Sequence, residues 1–550
     1  MAAERWDYVI IGAGSAGCVL ANRLTADGKT RVLLLEAGGQ DKSLLIHMPA
    51  GVGSLISAKG DYNWGFWTEP EPHLDDRRLW WPRGKGWGGS SSINGMIYIR
   101  GHARDYDLWR QMGLQGWGYA DVLPYFKRSE ALEGGGDDWH GSQGPLHVSK
   151  APAAHPIYSR FMAAGVEAGY KSTTDFNGFQ QEGFGPYQLT IRDGRRWSAA
   201  AAYLRPALKR PNLSTVTGAR TTRILLDGSR ASGVEFVEGG QTRQVFADAE
   251  VLLCAGAVQS PQILQLSGIG DPDQLQSAGV ETRHALKGVG ANLQDHLDAS
   301  LCWETVGVRT AYSYSAGINQ LFTGLNYMLF GRGHGRENFL ESGAFLKSRP
   351  DLDRPDLQLH LVLAIMQDHG KKSVAKDGFT VHVCQLRPES RGRVGLRSAD
   401  PFDDPAIFAN YLAAEEDRRA LREGVKMVRD VVGRPALASL RGVELIPGPS
   451  VASDAEIDAW IRTAAETIYH PVGTCRMGVA GDPGAVVDAE LRLMGLQGLR
   501  VVDASVMPTL VGGNTNAPTM MIAEKAADMI LGRAAPGPDP APFAEQAEAA

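Results

Sequence analysis

Tyr8-Val-Ile-Ile-Gly12-Ala-Gly14-Ser15-Ala-Gly17 is the stretch on which the fold turns. The apolar run before Gly12 reads as a buried parallel strand. Cys18-Val-Leu-Ala-Asn-Arg-Leu24 continues as a helix that stops near Asp27-Gly28. Arg31-Val-Leu-Leu-Leu-Glu36 is a second apolar strand, ending in an acid. Strand, glycine turn, helix and acid-tipped strand together form a dinucleotide fingerprint in its required context. Gly12 allows the tight turn. Gly14 lets backbone approach a pyrophosphate, with Ser15 at the helix start. Gly17 lets the helix pack closely on the strand. The helix N-terminus favours phosphate charge, and Glu36, followed by Ala37, can accept from ribose hydroxyls. An acid there disfavours a 2′-phosphate, so NADP is disfavoured, while NAD and FAD both stay open.

Composition narrows the class. The 550 residues are 43% hydrophobic and 21% charged, an ordinary globular balance. The net charge of −6 lacks the basic footprint of a nucleic-acid binder. Five cysteines are scattered, odd in number and without a CxxC pair, which fits a reducing compartment rather than a disulfide framework or zinc site. His140 and His147 match no usual metal spacing, and no metal is expected. The N-terminus carries no secretory pattern, and no run reaches the roughly 18 apolar residues of a spanning helix. The expected location is cytoplasmic, with peripheral contact to the inner membrane left open. Nothing in the sequence speaks to oligomeric state.

Pro82-Arg83-Gly-Lys-Gly-Trp-Gly88-Gly89-Ser-Ser-Ser-Ile93-Asn94-Gly95-Met96 is dense in glycine and serine. Such a segment builds no core, but it brings backbone N–H groups against a flat or anionic ligand. Trp87 and the apolar residues after it argue against a solvated linker. Residues Gly84–Asp107 resemble the first signature of the glucose–methanol–choline (GMC) family of FAD oxidoreductases. The resemblance implies FAD as cofactor, with Arg83, Gly88, Gly89, Asn94, Gly95 and Met96 along the flavin and the last three near its reactive edge. Some members carry a flavin-linking histidine one residue before the asparagine. Ile93 stands there, which implies noncovalent FAD.

Downstream, Glu250-Val-Leu-Leu-Cys254 leads through Ala255 into Gly256–Gly270, which is similar to the second family signature; Gly288–His296 continues the likeness. Strands are expected over 212–217, 222–227, 233–237, 244–247 and 250–254. Alternating runs over 356–363 and 380–386 suggest antiparallel strands, and 414–432 reads as a helix. In the family this part roofs the flavin and forms the substrate pocket. His360, Glu341 and Asn338 are candidates there, although a satisfied strand histidine is the plainer reading of His360. The expected architecture is α/β: a Rossmann-like FAD-binding domain (1–150, 212–300, 480–533) interleaved with an α+β substrate domain containing an antiparallel sheet (151–211, 301–479), followed by a disordered Pro/Ala-rich tail (534–550).

Two C-terminal stretches carry the chemistry: Tyr469-His470-Pro-Val-Gly-Thr-Cys-Arg-Met-Gly478 and Gly512-Gly-Asn514-Thr515-Asn-Ala-Pro518. A histidine with a pKa of about 6.5 suits proton transfer near neutrality. The family resemblance implies His470 as general base and Asn514 as its partner, with Asp503, Ala504 and Thr515 near the cofactor. The implied reaction is FAD-dependent oxidation of a primary alcohol to the aldehyde, with electrons passing to a quinone or another acceptor. An O2-using oxidase of aryl or furanic alcohols, a choline dehydrogenase, and a lyase or photodecarboxylase on the same scaffold are the alternatives.

Overall fold

The computed structural model describes residues 4–368 and 371–544. Along the chain the strands that build the site are β1 (Arg5–Ile11), β2 (Val32–Glu36), β3 (Gly183–Pro186), β4 (Leu213–Thr217), β5 (Ala219–Asp227), β6 (Arg230–Glu238), β7 (Gln241–Leu253), β8 (Leu297–Thr305), β9 (Ser342–Leu346), β10 (Leu357–Val362), β11 (Gly378–Gln385), β12 (Arg441–Ile446), β13 (Glu466–Thr467) and β14 (Leu499–Val501). The helices around them are α1 (Ser15–Leu24), α2 (Gly256–Leu266), α3 (Ala311–Ser315), α4 (Ile318–Phe330), α5 (Glu415–Gly433) and α6 (Asn516–Ile530).

The first sheet runs β4-β2-β1-β7-β6-β5, with β14 also paired to β7. β1 lies parallel between β2 and β7, with Val9 opposite Leu33 and Val251. Both faces are covered, which is why β1 and β2 need unbroken apolar runs. The expected strands 244–247 and 250–254 are one strand. Ala247-Asp-Ala249 holds no glycine or proline to turn the chain. It stays extended from antiparallel pairing with β6 into parallel pairing with β1 and β14.

The second sheet, β12-β8-β11-β10-β9-β3 with β13 on β8, is antiparallel throughout. Its outer face is covered by α5, whose Leu421, Val425, Val428 and Val432 are fully buried at helical spacing. Each such burial is worth about 1.5–3 kcal/mol. Gly424 allows the contact, since a Cβ there would stand 2.4 Å from Val383. Leu357, Leu359 and Leu361 of β10 join this core. The alternate residues, Gln358, His360 and Val362, turn the other way, as period two requires. The α/β architecture with an antiparallel second sheet is the one expected.

Helix α4 is not among the elements expected from the sequence. The tail was expected to be disordered, yet through residue 544 it lies against the body. Lys127 pairs with Asp539 at 2.9 Å, Trp139 Nε1 donates to the Pro542 carbonyl at 2.8 Å, and Phe543 meets the edges of His102 and Tyr119. A proline-rich strap is stiff and loses little entropy on docking, so a few anchors hold it. The rest of that expectation, 545–550, lies outside the described residues. Among the described residues no helix is long and apolar enough to cross a membrane.

Candidate active site

One continuous cavity runs between the two sheets, from the turn after β1 to the inner face of β10 and β11. At the nucleotide end Gly12 and Gly17 stand where a side chain would clash. Gly12 has φ +98°, and a Cβ there would meet the Cys254 carbonyl at 2.6 Å. A Cβ on Gly17 would stand 1.9 Å from the Gly12 carbonyl, so only glycine lets α1 sit this close to β1. Gly89, at φ +50°, brings the serine–glycine loop onto the Gly14 backbone, with 2.8 Å to Cα from where its Cβ would be. Gly88 N–H donates to the Ala13 carbonyl at 2.7 Å. The Glu36 carboxylate accepts from the N–H groups of Ala13, Gly38 and Gly86, which fastens β2 to both loops.

The starts of α1 and α6 face the same space, tied by Ser15 Oγ donating to Asn516 Oδ1 at 2.7 Å. Two helix N-termini over a glycine cradle suit a pyrophosphate. Asp503 accepts from Gly256 N–H and Ser260 Oγ and so holds the start of α2 at the cavity wall. Burial pushes its carboxyl up from the ordinary value. These residues fit a dinucleotide cofactor.

At the other end a hydrogen-bonded chain spans the cavity wall. Tyr187 OH donates to the Leu359 carbonyl at 2.7 Å, so its oxygen accepts from Gln358 Nε2 at 3.2 Å. Gln358 Nε2 also donates to Asn514 Oδ1 at 3.2 Å. That orientation points Asn514 Nδ2 at His470 Nε2, 3.1 Å away. His470 Nδ1 lies 3.0 Å from His296 Nδ1, and His296 Nε2 lies 3.1 Å from the Leu386 carbonyl. Both terminal carbonyls can only accept. A single proton assignment therefore satisfies the chain: His296 carries its proton on Nε2, His470 carries its proton on Nδ1, and the lone pair of His470 Nε2 is left on the Asn514 side.

The local backbone holds that geometry. Tyr469 adopts φ +73°, an uncommon conformation for a bulky residue. Its carbonyl accepts from Arg83 Nη2 at 2.6 Å, and the His470 N–H donates to Asp295 at 2.7 Å. Asp295 also accepts from Thr467 Oγ1 and Tyr411 OH, and burial raises its carboxyl to about 6 against those bonds. Arg196 holds the other side, donating to the Asn94 carbonyl and Oδ1. Burial without a carboxylate partner lowers its guanidinium to about 9. Burial, then the neighbouring His296, His360 and Arg83, pushes His470 well below the usual histidine range, so it is neutral near pH 7.

His360 also lines the cavity. It stacks on Tyr187 and pairs across strands with His382, which is fixed by Asp298 at 2.6 Å. Among the described residues His360 Nδ1 is buried without a hydrogen-bond partner, and burial lowers the ring to about 3. A buried orphan of this kind leaves room for a polar group of a ligand.

Of the residues singled out in the sequence, Gly12, Gly14, Ser15, Glu36, Ala37, Arg83, Gly89, Asn94, Gly95, Met96, Ala255, Asp503, Ala504 and Thr515 line the cavity, as do His470, Asn514, His360 and Asn338. Gly17 and Gly88 do not; they support the loops that do. Glu341 does not line the cavity; it lies beside Tyr158. There burial raises it to about 7. His296, Asp295 and Gln358 were missed as site residues. The signal for Gln358 was available, since it precedes His360 by two on an alternating strand. His140 binds Glu130 and Asp175 in a buried cluster away from the cavity.

Two family models described as GMC oxidoreductase match the chain, over residues 6–298 and 388–523. Mitochondrial choline dehydrogenase of Mus musculus is 47% identical over 97% of this chain and 90% of its own length. Oxygen-dependent choline dehydrogenase of Brucella anthropi is 47% identical over 96% of each. Among solved structures, pyridoxine 4-oxidase from Mesorbium loti superposes with TM-score 0.87 at 34% identity, over 96% of this chain and 100% of that one. An Aspergillus oryzae formate oxidase reaches 0.89 at 27%, over 96% and 98%. A glycine cradle and a histidine–asparagine pair thus share one cavity in a chain matched over 96–97% of its length by these oxidoreductases, and the protein belongs to the GMC oxidoreductase family as an FAD-dependent alcohol oxidoreductase.

Proposed function

We propose that the protein oxidises a primary alcohol to the aldehyde, with His470 as general base, and passes the electrons to a quinone or another acceptor. The hydrogen-bonded chain from Leu359 to Leu386 carries this reading. A hydroxyl both accepts and donates, so a substrate oxygen set against this pair can take the place of their direct 3.1 Å contact. Asn514 Nδ2 donates to the alcohol oxygen, and the alcohol proton passes to His470 Nε2. Proton transfer of this kind is worth roughly 10²–10⁴-fold. FAD, when bound, supplies the hydride acceptor for the carbinol carbon. Gly12, Gly14, Ser15, Glu36 and Gly89 would hold its nucleotide, and Asn94, Gly95, Met96, Ala504 and Thr515 its ring end. Ile93 offers no side chain for a covalent link, so acid precipitation should release all the flavin.

Among the described residues of the cavity wall the only carboxylates are Glu36 and Asp503, both at the nucleotide end. That favours a neutral primary alcohol. Choline is the second reading, supported by relatives named choline dehydrogenase, with Tyr314, Phe339 and Tyr469 as the aromatic faces available to a cation. Anaerobic bleaching of the flavin by a panel of neutral primary alcohols and choline decides between them. Faster bleaching by choline than by every neutral alcohol overturns the first reading. Reoxidation by a quinone faster than by O2 is expected; the reverse assigns an oxidase.

A further inference from the structure

Helix α4, Ile-Asn-Gln-Leu-Phe-Thr-Gly-Leu-Asn-Tyr-Met-Leu-Phe, carries no charge. Its Ile318, Leu321, Phe322, Met328, Leu329 and Phe330 are each more than half exposed. Elsewhere among the described residues exposed large apolar side chains are scattered, as on an ordinary soluble surface. A concentrated patch of this kind marks a surface that meets something apolar. The inner side of the helix is different. Tyr327 is buried and donates to the His47 carbonyl at 3.0 Å, while Thr323 Oγ1 donates to the Tyr314 carbonyl at 2.9 Å. Thr323, Tyr314 and Ser315 line the cavity. So α4 has one side on the cavity and an apolar stripe outward.

Charge says what the stripe meets. Residues 305–336 contain Arg309, Arg332 and Arg336 and no acid, in a chain whose net charge is −6. All three arginines are exposed and form no ion pair among the described residues. Arg336 packs over Gly194, next to the exposed Arg195, and both cations lie near the Tyr327 hydroxyl. Acids nearby have other partners: Asp377 accepts from Thr310 and Ser313 N–H groups, Glu337 pairs with His334, and Asp193 lies 3.8 Å from Arg192. A two-fold contact through this face would bring two copies of the same basic, acid-free segment to one seam, where like charges gather.

We propose that α4 is an interfacial anchor. Its apolar stripe enters the boundary between headgroups and acyl chains of an anionic bilayer, and the flanking arginines take lipid phosphates. On the functional reading above, docking sets the cavity beside the lipid, where a hydrophobic acceptor dissolves; the anchoring itself does not depend on that reading.

The test is cosedimentation of the FAD-loaded protein with phosphatidylcholine vesicles, with and without phosphatidylglycerol. Each arginine at an anionic surface is worth about fivefold in binding, so vesicles with phosphatidylglycerol should bind at least tenfold more tightly. Leu321→Glu/Phe322→Glu/Leu329→Glu should lose at least about tenfold, and the separate Arg332→Glu/Arg336→Glu variant should lose the preference for phosphatidylglycerol. Both should keep wild-type turnover with a soluble dye. Wild-type protein that stays in the supernatant with anionic vesicles overturns the proposal, as does undiminished binding by the triple variant. A wild-type dimer that the triple variant splits, with no vesicle binding, also overturns it and assigns the face to contact between copies.

Discussion

His470 is set from both sides by groups that leave its ring one orientation and one tautomer. His296 Nδ1 accepts the hydrogen bond from His470 Nδ1–H, and Asn514 faces Nε2. Gln358 acts one step further back, because its amide determines which end of Asn514 meets the histidine. Gln358→Met keeps the volume and removes that donor. The variant should lose about tenfold in kcat, the scale of one lost hydrogen bond between polar groups in a buried site, with little change in KM. A merely structural role would instead lower thermal stability and leave kcat per bound flavin intact. His470 and Asn514 were legible in the sequence because motif and chemistry coincide there. His296 was not, since a histidine that ends a glycine-rich stretch has no signal until β8 carries it against residue 470.

At the scale of elements, the nucleotide end depends on two glycine loops in contact. Gly89→Ala would drive a methyl into the Gly14 backbone from a positive φ. Strain of this kind costs roughly 1–3 kcal/mol. FAD affinity should therefore fall by at least about tenfold while the apoprotein stays folded, measured by flavin fluorescence on titration. Gly39→Ala, with nothing within 4 Å of its Cβ, is the control and should bind FAD as the wild type does. The β1–α1–β2 unit was readable because its residues meet each other locally. The join of 241–253 into one strand was not, because it depends on partners at both ends of the chain, β1 and β14. Helix α4 escaped for another reason: its apolar residues face outward, so its pattern does not mark a buried face.

For the molecule as a whole, several buried groups bind protons more tightly when folded. Glu130 and Asp175 hold His140 up at about 8 against its burial. A raised folded value means that its contribution is complete below the unfolded pKa of about 6.5 and is lost as pH rises through about 8. The difference corresponds to roughly 2 kcal/mol. Burial also raises Glu71 and Glu341 to about 7, which acts in the same direction between their unfolded values and about pH 7. Below about pH 7 the histidines that burial holds low, His296, His360 and His470, act in the opposite sense, but above it they are neutral in both states. Tm should therefore fall from about pH 7 to 9, and His140→Gln should flatten the part between about 7 and 8, while an equally steep fall in the variant would remove His140 from the account. The cluster does not line the cavity, so turnover of that variant at pH 7 should stay near wild type.

The central claim is that His470 takes the alcohol proton in a site that binds FAD independently of it. The direct measurement is anaerobic flavin bleaching by a good alcohol substrate, wild type beside His470→Ala, each at matched FAD content. The account predicts that the variant keeps its flavin and bleaches at least about 10²-fold more slowly. Bleaching at the wild-type rate would contradict it.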